Sequence, residues 1–139
     1  MSLRMTILKV GKLKSEYIEI ESEFVKRLRP FANLEIKTFK ESALLSKSIP
    51  KDAFVIVLDT GGKQFSSEEF SKIISKEKDF GSGHIVFVIG GPYGLNEALP
   101  SNLKLSFSRM TFTHQYAYII LLEQIYRAFT ILIGKNYHH

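Results

Sequence analysis

Cysteine and tryptophan are missing from the chain, and its 139 residues include only four prolines and four histidines. Without cysteine there is no disulfide, no thiolate nucleophile and no cysteine-ligated zinc site, which fits a reducing, cytoplasmic address. Histidine is too sparse to offer much of a metal centre, so no metal ligand set is expected. No apolar run reaches the roughly 18 residues that a membrane-spanning helix needs, and the charged start lacks the features of a signal peptide. These absences predict a protein with neither a membrane nor a metal partner.

What is present is core material. At 45% hydrophobic and 24% charged, residues 1–139 read as one domain with a single core. The formal net charge of +5 tilts toward a polyanionic partner, because phosphate contacts from Lys and Arg dominate nucleic-acid affinity. A merely solvated surface is the competing reading. Local clusters occur at Lys9, Lys12 and Lys14 and at Lys26, Arg27 and Arg29.

Residues 5–10 read as a first strand ending at Gly11, with Met1 to Arg4 ahead of it and in part an expression scar. Ser15 can cap a helix that buries Ile18, Phe24, Val25 and Leu28 and stops at Pro30. Leu34, Ile36 and Phe39 alternate with polar residues, as in a strand near a sheet edge. Residues 41–50 allow a short helix at most. Ala53 to Leu58 is a continuous apolar run, suited to a parallel strand covered on both faces, and Asp59-Thr60-Gly61-Gly62-Lys63 breaks it. Ser66 and Glu69 form a capping box for a helix with a stripe of Phe70, Ile73 and Ile74. A second buried strand, Ile85 to Ile89, precedes Gly90-Gly91-Pro92-Tyr93-Gly94 and a short segment around Leu95 to Leu99. Leu103 to Phe107 is a fifth strand, and a long apolar helix runs from about Thr113 to Ile133, closed by Gly134. Strands alternating with helices predict an α/β fold with a mainly parallel sheet flanked by helices.

In such sheets ligands bind beyond the carboxyl ends of the strands, and the loops after Leu58, Ile89 and Phe107 stand out there. The glycines after Ile89 match neither the dinucleotide fingerprint nor a phosphate-binding P-loop, so alone they leave a tight turn and a cofactor loop both open.

Several runs carry more information together. They are Val88-Ile89-Gly90-Gly91, Leu105-Ser106-Phe107-Ser108-Arg109-Met110-Thr111-Phe112, His114-Gln115, Leu122-Glu123-Gln124, Tyr126-Arg127-Ala128-Phe129 and Tyr137-His138. With Ile7 to Lys12 at the start and Leu58 and Gly62-Lys63 in the middle, they closely resemble the RlmH family along essentially the whole chain. RlmH proteins are small SPOUT-class methyltransferases of large-subunit ribosomal RNA. The resemblance implies a C-terminal trefoil knot, an exception to the rule that chains do not thread themselves. It also implies a homodimer that takes S-adenosylmethionine and methylates N3 of a pseudouridine in the helix-69 stem-loop of 23S rRNA on assembled ribosomes. The cofactor positions carried over are Leu58, Gly90, Phe107, Ser108, Arg109, Met110, Thr111 and Phe112.

The residues suit that chemistry. A flat, neutral adenosyl group fits backbone amides flanked by Leu58, Phe107, Met110 and Phe112. A methyl group on a sulfonium is already activated, so alignment is the main requirement. The proton on the attacking nitrogen must still leave, which makes His114, Tyr137 and His138 the catalytic candidates. At the start of a helix His114 favours its neutral form, as a base requires; equally, it can bond a loop carbonyl and order the turn. Tyr137 and His138 could stack on a base and hold a phosphate, in their own site or in that of the partner subunit. Arg109 could take a phosphate, a base or a surface salt bridge, and Arg127 is equally suited to an i,i+4 bridge to Glu123 and to an RNA contact.

Thr113 stands where the family usually has proline, and Tyr118 where it commonly has arginine, which removes one candidate phosphate contact. The chain is also shorter between Phe39 and Ala53, and His139 replaces a usual Lys or Arg. These departures keep open a non-catalytic RNA-binding module of the same fold. The glycine loop alone allows a general nucleotide-binding protein.

Overall fold

The computed structural model describes residues 3–92, 94–95 and 99–138. Readings that concern Met1, Ser2, Tyr93, residues 96–98 and His139 lie outside the described residues. The chain runs β1 (Leu3–Val10), a 3-10 turn (Ser15–Tyr17), α1 (Ile18–Leu28), β2 (Ala32–Phe39), α2 (Ser42–Ser46), β3 (Phe54–Gln64), α3 (Ser67–Phe80), β4 (His84–Ile89), β5 (Leu103–Ser106) and α4 (His114–Leu132). The five strands form one sheet in the order β2-β1-β4-β3-β5, and every pairing is parallel. The α/β class and the edge position of β2 are as the patterning predicts.

The period of two along each strand divides the core. Met5, Ile7, Ile56, Ile85, Phe87 and Leu105 face a large cluster built with Phe24 of α1, Phe70 and Ile74 of α3, and Leu121, Leu122, Ile125 and Phe129 of α4. Leu8, Val55, Val57, Val86 and Val88 face the other way, where Leu45 of α2 and the flanking Leu95 and Leu99 close over them. Central β4 is therefore apolar at every position from Ile85 to Ile89, since both its faces are covered.

Four boundaries differ from the sequence reading. β1 begins at Leu3, so Leu3 and Arg4 belong to the strand, Leu3 in the core at 1% exposure. Ser15 opens a 3-10 turn rather than capping α1, and Ile18 ends up exposed, because the extra turn rotates it off the buried stripe. The Asp59–Lys63 stretch does not end β3. Leu58 and Lys63 both pair with Leu105, so the four residues between them loop out of the strand and pairing resumes. Thr113 is the N-cap of α4, one position before the helix. The Ser66–Glu69 capping box is present in both directions.

Candidate active site

A cavity of about 840 Å³ opens at the carboxyl ends of the strands. Leu58, Gly90, Phe107, Ser108, Met110, Thr111, Phe112 and His114 all line it. Its walls mix apolar side chains such as Ile89, Leu99 and Leu105 with loop backbone. Three charged side chains also reach it: Asp59, Lys14 and Lys104. A neutral flat ring and a short charged tail can both be housed by such a lining, and the volume falls within the usual range for small-molecule sites.

Each wall has a local cause. Gly90 is glycine because a Cβ there would stand 2.8 Å from the carbonyl carbon of Gly94. The missing side chain lets the loop close on itself, and Gly91 and Gly94 then bridge as an isolated antiparallel pair. This assigns Gly90 to loop closure before ligand approach. On the opposite side, the Gly61 N–H donates to Asp59 Oδ1 at 2.9 Å and sets the bulge that puts Asp59 and Thr60 in the wall. The buried Ser106 hydroxyl donates to the Ser108 carbonyl at 2.8 Å, and Ser108 Oγ accepts from the Met110 N–H at 3.0 Å. These bonds shape the 107–112 run while leaving Met110 74% exposed at the mouth. Arg109 is exposed and is not among the lining residues.

The N-terminus of α4 supplies the most polar corner. Thr113 adopts φ −60°, a value that proline also takes, and its hydroxyl accepts from the Tyr116 N–H. The Gln115 carbonyl oxygen accepts from the Lys14 N–H at 2.9 Å, which fixes its amide orientation, and Nε2 donates to the Lys12 carbonyl at 3.0 Å. The same Nε2 lies 3.0 Å from His114 Nε2. Because the amide nitrogen is only a donor, the His114 Nε2 must accept, and the ring proton is assigned to Nδ1. Burial holds the His114 pKa below its ordinary value, and the Lys9 and Lys14 charges add to the effect. In its neutral form His114 therefore carries its one ring donor at Nδ1. Tyr118 is 1% exposed, and its hydroxyl bonds the Glu21 carboxylate. Position 118 therefore belongs to a buried network, not to an exposed surface.

Tyr137 and His138 lie elsewhere. The Tyr137 hydroxyl donates to Glu123 Oε2 at 2.8 Å, and its ring packs edge-on against Tyr126. Burial and that carboxylate push the phenol's pKa up. Arg127 bridges Glu123 at 2.9 Å and approaches His138 Nδ1 at 3.1 Å, while His138 Nε2 meets Glu68 Oε2 at 3.1 Å. Glu123 is nine residues along α4 from His114, about 14 Å of helix axis. Within one chain the tail is docked away from the cavity.

Sequence reasoning passed over the end of β1. Lys14 and Tyr17 line the cavity from the β1–α1 loop, and Tyr17 meets Tyr116 edge-on at 5.4 Å. The carboxyl-end rule that singled out three loops applies equally to this fourth one. Asp59, directly after Leu58, was accessible to the same rule. Gln115 gave no signal, since its role depends on contacts more than 100 residues apart in sequence. Among the described residues no group of three or more His, Asp or Glu could hold a metal ion, and no helix is long and apolar enough to cross a membrane.

A parallel α/β sheet with its cavity at the strand ends and a long C-terminal helix is the setting of a SPOUT-type enzyme. Residues 3–138 match the family described as "Predicted SPOUT methyltransferase", and the chain belongs to it. Three similar proteins within that family are each named ribosomal RNA large subunit methyltransferase H. The protein of Dictyoglomus thermophilum is 39% identical over 99% of this chain and 100% of its own length. That of Halothermothrix orenii is 40% identical over 98% and 99%. That of Christiangramia forsetii is 43% identical over 88% and 81%.

Proposed function

We propose that this protein transfers a methyl group from S-adenosylmethionine to N3 of a pseudouridine in the helix-69 stem-loop of 23S rRNA, as a homodimer acting on assembled ribosomes. One observation carries the reading. Leu58, Gly90 and most of the 107–112 run share a single cavity, in a chain about 40% identical from end to end to proteins named as ribosomal RNA methyltransferases.

S-adenosylmethionine supplies a methyl group already activated by positive sulfur. The chain's own residues bind and orient. Leu58, Phe107 and the loop backbone suit the adenosyl ring; Asp59, Lys14 and Lys104 suit the charged methionine portion. The nucleophile's N3–H lies between two pyrimidine carbonyls. Negative charge builds on them as the proton departs to solvent, and the Nδ1–H of His114 is the donor suited to stabilise it. His114 thus acts as a hydrogen-bond donor in this reading, with the base role set aside because its Nε2 lone pair is engaged by Gln115.

Exposed Lys12 and Arg109, each in a loop that contributes to the cavity, suit phosphates of the RNA. Most of α4 is covered within the chain by α1 and α3, so the support for dimerisation comes from the mouth, where Met110, Phe112 and Tyr116 are exposed. Docked about 14 Å along α4 from His114, the Tyr137–His138 tail fits a role in the partner's site. The trefoil knot and a cytoplasmic location belong to the same reading.

Labelled methyl transfer to ribosomes lacking the modification, followed by mapping of the product, is the test. Label at N3 of one helix-69 pseudouridine is the expected result. Cofactor binding without transfer would instead point to a non-catalytic RNA-binding module, a reading that loses its two sequence hints once Thr113 is a helix cap and Tyr118 is buried.

A further inference from the structure

Lys9 is a buried cation outside the cavity lining. It lies on β1 at 5% exposure, where lysine is rarely found without a carboxylate partner. Among the described residues its ammonium forms no salt bridge. It donates to the Gly11 carbonyl at 3.0 Å and stands 5.0 Å from the centre of the Tyr118 ring. Glu21 of α1, the acid whose charge reaches Lys9, accepts instead from the Tyr118 hydroxyl.

What Lys9 holds is the loop that rests on His114. Gly11 has φ +94°, and a Cβ on it would stand 3.3 Å from His114 Nε2. Lys9, Gly11, His114, Gln115 and Tyr118 are among the residues around a void of about 10 Å³. That is room for about one water, too little to screen the ammonium from the imidazole.

We propose that Lys9 is a positioning residue for the methyl-transfer site, fixing Gly11 against His114 and placing a positive charge at the same small void as the imidazole. The proposal rests on the methyl-transfer reading for its purpose, and on geometry for its substance. Around His114, β1 contributes Lys9, the β1–α1 loop contributes Lys14, α4 contributes the uncharged Gln115 and Tyr118, and β4 contributes only Ile89. Glu21 of α1 partly offsets Lys9 from behind Tyr118. Lys14 is exposed and screened by solvent, whereas Lys9 is not.

The test is an NMR titration of His114 in the full-length, cofactor-free protein. Because no methyl transfer is involved, its outcome is independent of the ribosome assay. Lys9→Met removes the charge at similar volume and with it the desolvation cost of an unpaired buried ammonium, so the variant is expected to fold. Its His114 midpoint should rise toward 6.5, the ordinary imidazole value. Lys9→Gln, which keeps a donor for Gly11 but no charge, should raise it similarly. Lys9→Arg should restore the wild-type midpoint, and Lys12→Met, at an exposed lysine of the same loop, should leave it unmoved. An unchanged midpoint in Lys9→Met and Lys9→Gln, or an equal rise in Lys12→Met, overturns the proposal. So does failure of both uncharged variants to fold, which would make Lys9 a plain structural requirement.

Discussion

The side-chain amide of Gln115 stands 3.0 Å from Nε2 of His114 while its carbonyl oxygen holds the Lys14 N–H at 2.9 Å. One buried side chain therefore ties the β1–α1 loop to the start of α4 and assigns the His114 tautomer. Gln115→Ala leaves the Lys14 N–H and the Lys12 carbonyl without partners, at a cost of about 1–3 kcal/mol. Urea unfolding should show that loss. Methyl transfer should fall by about 10–100-fold as the loop shifts against the cavity. Unchanged stability and turnover would contradict the clamp.

Two histidines should make the fold sensitive to acid. Burial lowers the pKa of His84, with Arg4 adding to it, and burial with Lys9 and Lys14 lowers that of His114. A group whose folded pKa is depressed takes up more protons in the unfolded chain. Its contribution is complete above the unfolded value of about 6.5 and is lost as pH falls through the folded one. Denaturation midpoints should therefore decline as pH drops below about 6.5. His84→Gln and His114→Gln should each flatten part of that decline; a slope identical to wild type in both would refute the assignment.

Gly90→Ala probes the cavity floor. The new Cβ would stand 2.8 Å from a backbone carbon of Gly94, and backbone on both sides cannot yield as a flexible side chain does. The loop must open, and overpacking of this kind costs about 1–3 kcal/mol. Calorimetric titration with S-adenosylmethionine should show binding weakened by about ten-fold or more. Wild-type affinity would mean that the loop has slack the structure does not show.

The strands and helices were legible because their signals are local. Ile85 to Ile89 announced a doubly covered strand, and Ser66 with Glu69 announced a helix start through bonds only three residues apart. The bulge at Asp59–Gly62 was not legible, since two glycines read as a strand's end unless the pairing with Leu105 on both sides is known. The cavity was half legible. Residue chemistry located loops at strand ends, while the assignment of Leu58, Gly90 and Phe107 to one site came from resemblance. Lys9 and Gln115 were hidden because their decisive contacts, Lys9 near His114 and Tyr118 and Gln115 with the Lys12–Lys14 backbone, are made only by folding.

Ser66→Ala gives a control outside the cavity. The Ser66 hydroxyl accepts from the Glu69 N–H at 3.0 Å, and the Glu69 carboxylate accepts in return from the Ser66 N–H at 2.8 Å. Losing the cap should cost about 0.5–2 kcal/mol in denaturant unfolding. Cofactor affinity should not change. A parallel loss of affinity would show that α3 and the cavity are coupled in a way these contacts do not explain.

The tail prediction separates action within a chain from action across a dimer. Removing the residues after Asn136 deletes the Tyr137–Glu123 hydrogen bond and the His138 contacts with Arg127 and Glu68. A loss of about 1–3 kcal/mol in stability is expected, because Glu123 and Arg127 lose partners in a half-buried setting. Cofactor binding should persist, since neither tail residue lines the cavity. Methyl transfer should be lost. The truncated chain is then co-folded with a His114→Ala chain, itself inactive. If the tail completes the partner's site, random pairing yields dimers in which one cavity with His114 faces one intact tail, and about a quarter of the sites recover. If the tail serves its own chain, every site in the mixture lacks either the tail or His114, and no activity returns.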